Sequence, residues 1–202
     1  MRNNPFLVAL IVFLLGCGKK EVGYPELQKY IADPNNGLIK KETVNDVEMT
    51  IAYRPTDLLA YQDLRNGGKI DSRKVNSARS NFGKYEYFLL TISKDKKDLE
   101  AFFGGMPTEY AGRLNMLYFG MKKYISVRNQ DNQKVGLVDC IFSRQYGYTP
   151  YSQFLLICEK GNIVAGKGSL FITVKEFGLG SGNVDFEFDM GDLVDTPALK
   201  FI

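Results

Sequence analysis

The chain has 202 residues, enough for one domain with a sizeable core, and contains no histidine and no tryptophan. Lack of histidine excludes Ser-His-Asp and Cys-His catalysis, and nearly all zinc sites except cysteine–carboxylate ones. A formal net charge of +3 is too small to argue for nucleic acid as a partner.

The first segment sets the address. Arg2 is followed by an unbroken apolar run from Phe6 to Leu15, then Gly16 and Cys17, and the chain turns polar at Lys19-Lys20-Glu21. A charged start, a short apolar core and a small residue at the cut form the layout of an export signal. Ten helical residues rise about 15 Å, half of a hydrocarbon core of about 30 Å, so a spanning helix is not expected. Leu14-Leu15-Gly16-Cys17 resembles the lipobox of bacterial lipoproteins. The resemblance implies acylation of Cys17, cleavage before it, and attachment to a membrane through lipid. Leu15 departs from the usual small residue at its position. Gly18 after the cysteine, instead of the Asp of inner-membrane retention, implies the outer membrane. Lys19-Lys20-Glu21 is not the acidic cluster of surface-exported lipoproteins, which implies the periplasmic face. The expected organisation is a signal peptide over 1–16, a lipidated cysteine and tether over 17–24, and one globular domain over 25–202.

In chain order, Pro25 to Ile31 reads as a short helix with proline in its first turn, ended by the turn Asp33-Pro34-Asn35-Asn36-Gly37. That turn is not a calcium loop, because Leu38 stands where glycine is needed and Val44 where the bidentate acid is needed. Val47, Met49, Ile51 and Tyr53 alternate with polar neighbours as a half-buried strand. Pro55 stops it. A helix capped by Thr56 or Asp57 follows, ending before Gly67-Gly68, and a second runs from Asp71 or Ser72 through Phe82.

Tyr85 to Ile92 is apolar on both faces, the pattern of a central strand covered on both sides. Ser93 is the expected cap of a short helix through Leu99 and Phe103. Thr108 opens the longest expected helix, to about Val127, with the stripe Tyr110, Leu114, Leu117, Met121 and Tyr124 turned towards the sheet. Antiparallel strands are expected over Lys134–Arg144, with Val138, Cys140 and Phe142 on one side, and over Ser152–Glu159, Ile163–Glu176 and Val184–Asp189. Gly178, Gly180 and Gly182 make the turn before the last of these, and Leu199, Phe201 and Ile202 an apolar docking end. The fold class is α+β, an antiparallel sheet of about five to six strands with a long helix packed on one face.

Candidates for chemistry are few, and no catalytic residue, metal ligand or cofactor motif is assigned. Asp185, Glu187 and Asp189 share a strand face, which reads as the wet side of an amphipathic strand rather than a cation site. The glycine-rich run from Phe177 to Gly182 leads into a strand, not a helix, so it is not a phosphate-binding loop. Cys140 and Cys158 are a candidate disulfide in an oxidising compartment; the alternative is two small buried apolar residues. Arg144, Tyr146, Tyr148 and Tyr151 concentrate at an expected hairpin tip, with the residue types that dominate contact surfaces. The alternative is that these rings fold back over the sheet edge.

Several scattered motifs carry a wider likeness. Tyr30-Ile31 with Asp33-Pro34 and Asn36-Gly37-Leu38, Tyr53-Arg54-Pro55 with Asp57-Leu58-Leu59, and Arg144 with Tyr146-Gly147 are three of them. Phe177-Gly178 and Pro197 with Leu199-Lys200-Phe201 complete the set. Together they resemble an uncharacterised lipoprotein family of Bacteroidetes-type bacteria. The resemblance implies an envelope address and a single domain, and no functional residue. The expectation is a non-enzymatic envelope protein that binds another envelope component. The alternatives are a glycan-binding module, requiring Tyr146, Tyr148 and Tyr151 on one platform, or a hydrolase with two carboxylates in a deep pocket.

Overall fold

A computed structural model describes residues 19–65, 70–161, 163 and 166–201. The export-type segment with Cys17, Gly18, the Gly67-Gly68 stop and Ile202 lie outside the described residues.

The fold is α+β. Its main sheet has five antiparallel strands, in the order β2 (Ile39–Val44), β3 (Val47–Arg54), β4 (Tyr85–Lys94), β8 (Ser152–Glu159) and β7 (Leu137–Ser143). A second antiparallel sheet orders β10 (Val184–Asp189), β9 (Ser169–Val174), β5 (Ile125–Asn129) and β6 (Lys134–Val135). The main sheet meets the expected strand count, and the second sheet adds to it.

Alternation decides which faces meet. Met49, Ile51 and Tyr53 lie opposite Ile92, Leu90 and Phe88, and Leu90 and Phe88 lie opposite Phe154 and Leu156. All of these side chains are buried. They share one core with Ile172, Val174, Phe186 and Phe188 of the second sheet. Phe88 and Phe188 bring their ring centroids to 5.1 Å. On the other face of β4, Tyr87 is also buried, with Phe82 at 6.1 Å between rings, so β4 is covered on both sides there. The β2–β3 hairpin turns through Asn45 and Asp46, both with positive φ, the backbone a two-residue turn between twisted strands requires.

The helices dock by their apolar stripes. α1 (Tyr24–Ala32) buries Leu27 and Ile31 and carries Pro25 in its first turn. α2 (Thr56–Arg65) buries Leu58 and Ala60, and α3 (Ser72–Phe82) buries Val75 and Ala78. Asp71 caps α3 by accepting the N–H of Lys74 at 2.9 Å. α4 (Leu99–Gly104) is capped by Asp98, which accepts from Ala101 at 2.9 Å, and not by Ser93, which lies inside β4. Asp95 and Lys96 take positive φ and make the tight turn that separates them.

The expected long helix is shorter and irregular. α5 (Tyr110–Asn115) runs into a π turn, Met116–Gly120, and then a 3-10 turn, Met121–Tyr124. Leu117 and Met121 of the expected stripe are buried, and Tyr110, Leu114 and Tyr124 pack against the core. The helix does not reach Val127, because Ile125-Ser126-Val127 alternates and pairs with β9.

The expected strand Lys134–Arg144 is two strands in two sheets. The break is at Gly136, where a Cβ would meet the Glu159 carboxylate and the carbonyl accepts the N–H of Glu159 at 2.8 Å. A register shift between Leu137 and Asp139 turns Val138 outward, 38% exposed, while Cys140 and Phe142 face in.

The expected tether is structured from Lys20 onward. β1 (Glu21–Val22) pairs in parallel with β11 (Ala198–Leu199). Ala198 donates to the Lys20 carbonyl at 2.9 Å and Lys200 to the Val22 carbonyl at 2.8 Å. Leu199 is buried, and the rings of Tyr24 and Phe201 pack on Tyr61 at 4.8 and 6.0 Å. α6 (Met190–Asp195) lies just before β11. Among the described residues, no helix is long and apolar enough to cross a membrane.

Candidate functional site

Two regions stand apart from the ordinary surface, and they lie at opposite ends of β8. At its start is the loop between β7 and β8. Tyr146 and Gly147 take positive φ, and Tyr148 donates to the Gln145 carbonyl at 3.0 Å. The tight turn throws two rings outward: Tyr146 is 71% and Tyr148 is 89% exposed. The Arg144 guanidinium lies 4.7 Å from the Tyr146 ring centroid and 5.9 Å from that of Tyr118. Its charge is met by Glu100 at 3.2 Å, which also accepts the Tyr118 hydroxyl at 3.2 Å. Partial burial, with Glu100 beside it, holds the Tyr118 phenol above its ordinary pKa. Tyr118 in turn stands edge-on to Phe142 at 5.0 Å, which anchors the cluster to the core.

Phe119 belongs to this end and escaped the sequence reading. It is 82% exposed and its ring lies 6.0 Å from Tyr118. It sits in the π turn, off the buried stripe of that helix. An aromatic residue on the wet side of an amphipathic helix was the available signal.

Tyr151 is not on the same platform. It is half-buried and lines a groove of about 380 Å³ with Thr50, Thr91 and Pro150. Tyr146 lines a different groove of about 360 Å³ with Glu100, Tyr110 and Arg144.

The second region is a cavity of about 450 Å³ at the other end of β8. Its polar wall comes from the end of β3 (Tyr53), the start of β4 (Glu86), the entry to α2 (Pro55, Thr56 and Asp57) and Lys160 after β8. Its apolar wall is Met190, Leu193 and Val194 of α6 with Pro197, and Lys19 and Glu21 stand beside it. Tyr53 donates to Glu86 Oε2 at 2.9 Å, and Lys160 reaches Glu86 Oε1 at 3.2 Å. Burial, with the Glu86 carboxylate beside it, raises the Tyr53 phenol well above its ordinary pKa. Arg79 clamps both oxygens of Asp57, at 2.8 and 2.9 Å, and that hydrogen-bonded contact raises the guanidinium pKa. Two of the three acids that line the cavity, Asp57 and Glu86, are thus engaged by cations, the arrangement of a binding cavity more than of a free acid–base pair.

The remaining candidates resolve into structural roles. Asp185 accepts from the Thr173 hydroxyl, Glu187 from Ser169, and Asp189 caps α6 through the N–H of Gly191. Among the described residues, no group of three acids or cysteines converges at metal-ligand distance. The glycine-rich loop does cradle an anion, its own neighbour Glu176. Gly178, Leu179 and Gly180 donate to Oε1 at 2.6, 2.7 and 3.1 Å, and Gly182 to Oε2 at 2.7 Å. Burial opposes the charge, but these N–H groups outweigh it and hold the carboxyl at about 2. Gly178, Gly180 and Gly182 all have positive φ, which lets successive N–H groups converge.

Cys140 and Cys158 are free and buried. They face the core from adjacent strands but in offset register: Cys140 lies opposite Leu156, and Cys158 opposite Leu137. Diagonal neighbours of this kind stand about 7–8 Å apart, beyond the usual reach of a disulfide. Burial raises both thiols to about 12, with Asp139 adding to Cys140 and Glu86 to Cys158.

No protein-family model and no curated protein matches the chain. Among solved structures, it is similar to a crystal structure described as a novel protein of unknown function from Burkholderia pseudomallei K96243. That likeness has a TM-score of 0.38 and 10% identity over 87% of this chain and 94% of the other. A likeness so distant transfers no property to this chain.

Proposed function

We propose that this chain is a lipid-anchored cell-envelope protein that binds another envelope protein through the surface of Arg144, Tyr146, Tyr148 and Phe119. The observation that carries the binding surface is the exposure of Phe119, Tyr146 and Tyr148 around an arginine already stacked on two rings. Aromatic rings and arginine held in place by a scaffold lose little conformational freedom on docking, and so make strong contact residues. The export-type segment ending in Gly16-Cys17 supports the anchor.

The two readings fit one geometry. β8 has eight residues, about 26 Å of chain, with the aromatic loop before it and Lys160 of the cavity after it. Lys19, two residues from Cys17, lines that same cavity. An anchor at Cys17 would therefore attach at the cavity end of β8, a strand's length from the aromatic loop. Glycan stacking is less favoured, because Tyr146 and Tyr151 line separate grooves.

The test is cross-linking in intact cells with a photoreactive residue at position 148. One recurring protein is expected, and its capture should fall with Phe119→Ala and Tyr146→Ala while the melting temperature stays unchanged. Capture indifferent to both substitutions would exclude this surface.

A further inference from the structure

The cavity between Tyr53, Glu86, Lys160 and α6 has no part in the aromatic surface, and its construction specifies a ligand. Its volume of about 450 Å³ lies in the about 300–1,000 Å³ range of small-molecule sites. One wall is apolar: Met190, Leu193, Val194 and Pro197. The other carries both signs of charge. The Arg79–Asp57 pair is closed on itself and on the Leu199 backbone, so its role is structural. The charges with capacity to meet a ligand are Lys19, Lys160 and Glu21, the last of which also faces the Arg79 guanidinium. Lys160 gives one donor to Glu86, and an ammonium has three. Its side chain is 41% exposed, so the remaining donors are accessible. Two ammonium groups and a carboxylate beside an apolar wall match an amphiphile whose polar end bears an anion and a cation close together.

Position supplies the source. One residue, Gly18, separates Cys17 from Lys19, a reach of about 7 Å when fully extended. If Cys17 carries lipid, the cavity must lie beside the headgroup layer. We propose that this cavity binds the headgroup of a zwitterionic bilayer phospholipid, with phosphate at Lys19 and Lys160, ammonium at Glu21, and the glycerol end against Leu193 and Val194. The choice of a bilayer lipid rests on the anchor reading; the ligand chemistry rests on the cavity alone.

The experiment uses the chain purified from membranes in a neutral detergent. It is titrated with dihexanoylphosphatidylethanolamine while the amide NMR signals of Tyr53, Thr56 and Val194 are followed. Saturable shifts are expected. Binding should weaken at least about tenfold in Lys160→Ala and in Leu193→Ser, each checked for an unchanged spectrum elsewhere. Dihexanoylphosphatidylglycerol, which lacks the ammonium, and inorganic phosphate should bind at least about tenfold more weakly than the ethanolamine lipid. Absence of saturable shifts overturns the proposal, and so does phosphate or the glycerol lipid binding equally well. The intact mass of the same preparation reports acylation of Cys17 separately. An unmodified cysteine would remove the anchor reading and leave the titration to decide the cavity.

Discussion

Asp57 and Arg79 form one two-toothed contact that holds three parts of the chain. Arg79 Nε and Nη2 donate to the two carboxylate oxygens of Asp57, while Arg79 also donates to the Leu199 carbonyl and Asp57 accepts the Leu199 N–H at 2.8 Å each. The pair thus joins α2 to α3 and both to β11. Asp57→Ala should cost about 2–3 kcal/mol in urea unfolding, because charge-assisted bonds are lost and Arg79 is left half-covered. Arg79→Lys should recover only part of the stability, since lysine cannot span both oxygens. A cost below about 0.5 kcal/mol for Asp57→Ala, typical of ordinary surface sites, would contradict this role.

Acid stability should show the mark of Glu176. Its carboxyl is held at about 2 in the folded chain, below the ordinary value of 4.5. A depressed folded pKa adds stability that is complete above the unfolded pKa and disappears as pH falls through the folded one. The stability gap between the wild type and Glu176→Gln should therefore narrow from about pH 5 down to about pH 2. A gap constant over that range would mean that the loop does not recognise the charge.

The cysteines give a direct chemical count. In a Cys17→Ser chain unfolded without reductant, thiol titration should find both Cys140 and Cys158 free. In the folded chain at neutral pH both should react slowly, because burial raises each to about 12 and leaves little thiolate. Recovery of two thiols only after reduction would reveal a bond across β7 and β8.

Phe119 and Leu117 are two residues apart in the same π turn and should behave oppositely. Leu117 is buried, and Leu117→Ala should cost about 2–5 kcal/mol. Phe119→Ser should change stability by less than about 0.5 kcal/mol, because its ring is solvated already. Thermal or urea unfolding of the two variants checks the pair. A large loss for Phe119→Ser would place that ring in packing and remove it from the binding surface.

Much of the fold was legible where one face of a strand or helix is wet. Val47 to Tyr53 and Val184 to Asp189 alternate cleanly, and both are strands with those faces buried. Leu117 and Met121 marked the buried stripe of their helix correctly. What escaped depends on long-range geometry. Nothing local announces that Gly136 passes the chain from one sheet to the other, since both strands continue the same apolar pattern. The helix end was misplaced because Ile125 and Val127 suit a helix stripe as well as a strand face, and only pairing with β9 decides. The aromatic loop was visible as a local concentration of Arg144, Tyr146 and Tyr148. The cavity was not, because Lys19, Tyr53, Glu86, Lys160 and Leu193 are scattered along the whole chain.

The pairing of β1 with β11 also sets an order of events. Among the described residues, Glu21–Val22 pairs with Ala198-Leu199, which lies far along the chain from it. Early strands can form hairpins as they emerge, but this seam closes across the greatest sequence separation among the described strand pairs, the kind of contact that forms slowly. A chain stopped before Ala198 has no strand for Glu21–Val22 and no Leu199 backbone for Asp57 and Arg79 to hold. Residues 21 to 199 must therefore all have emerged before this seam can close, so the domain latches late in its own synthesis.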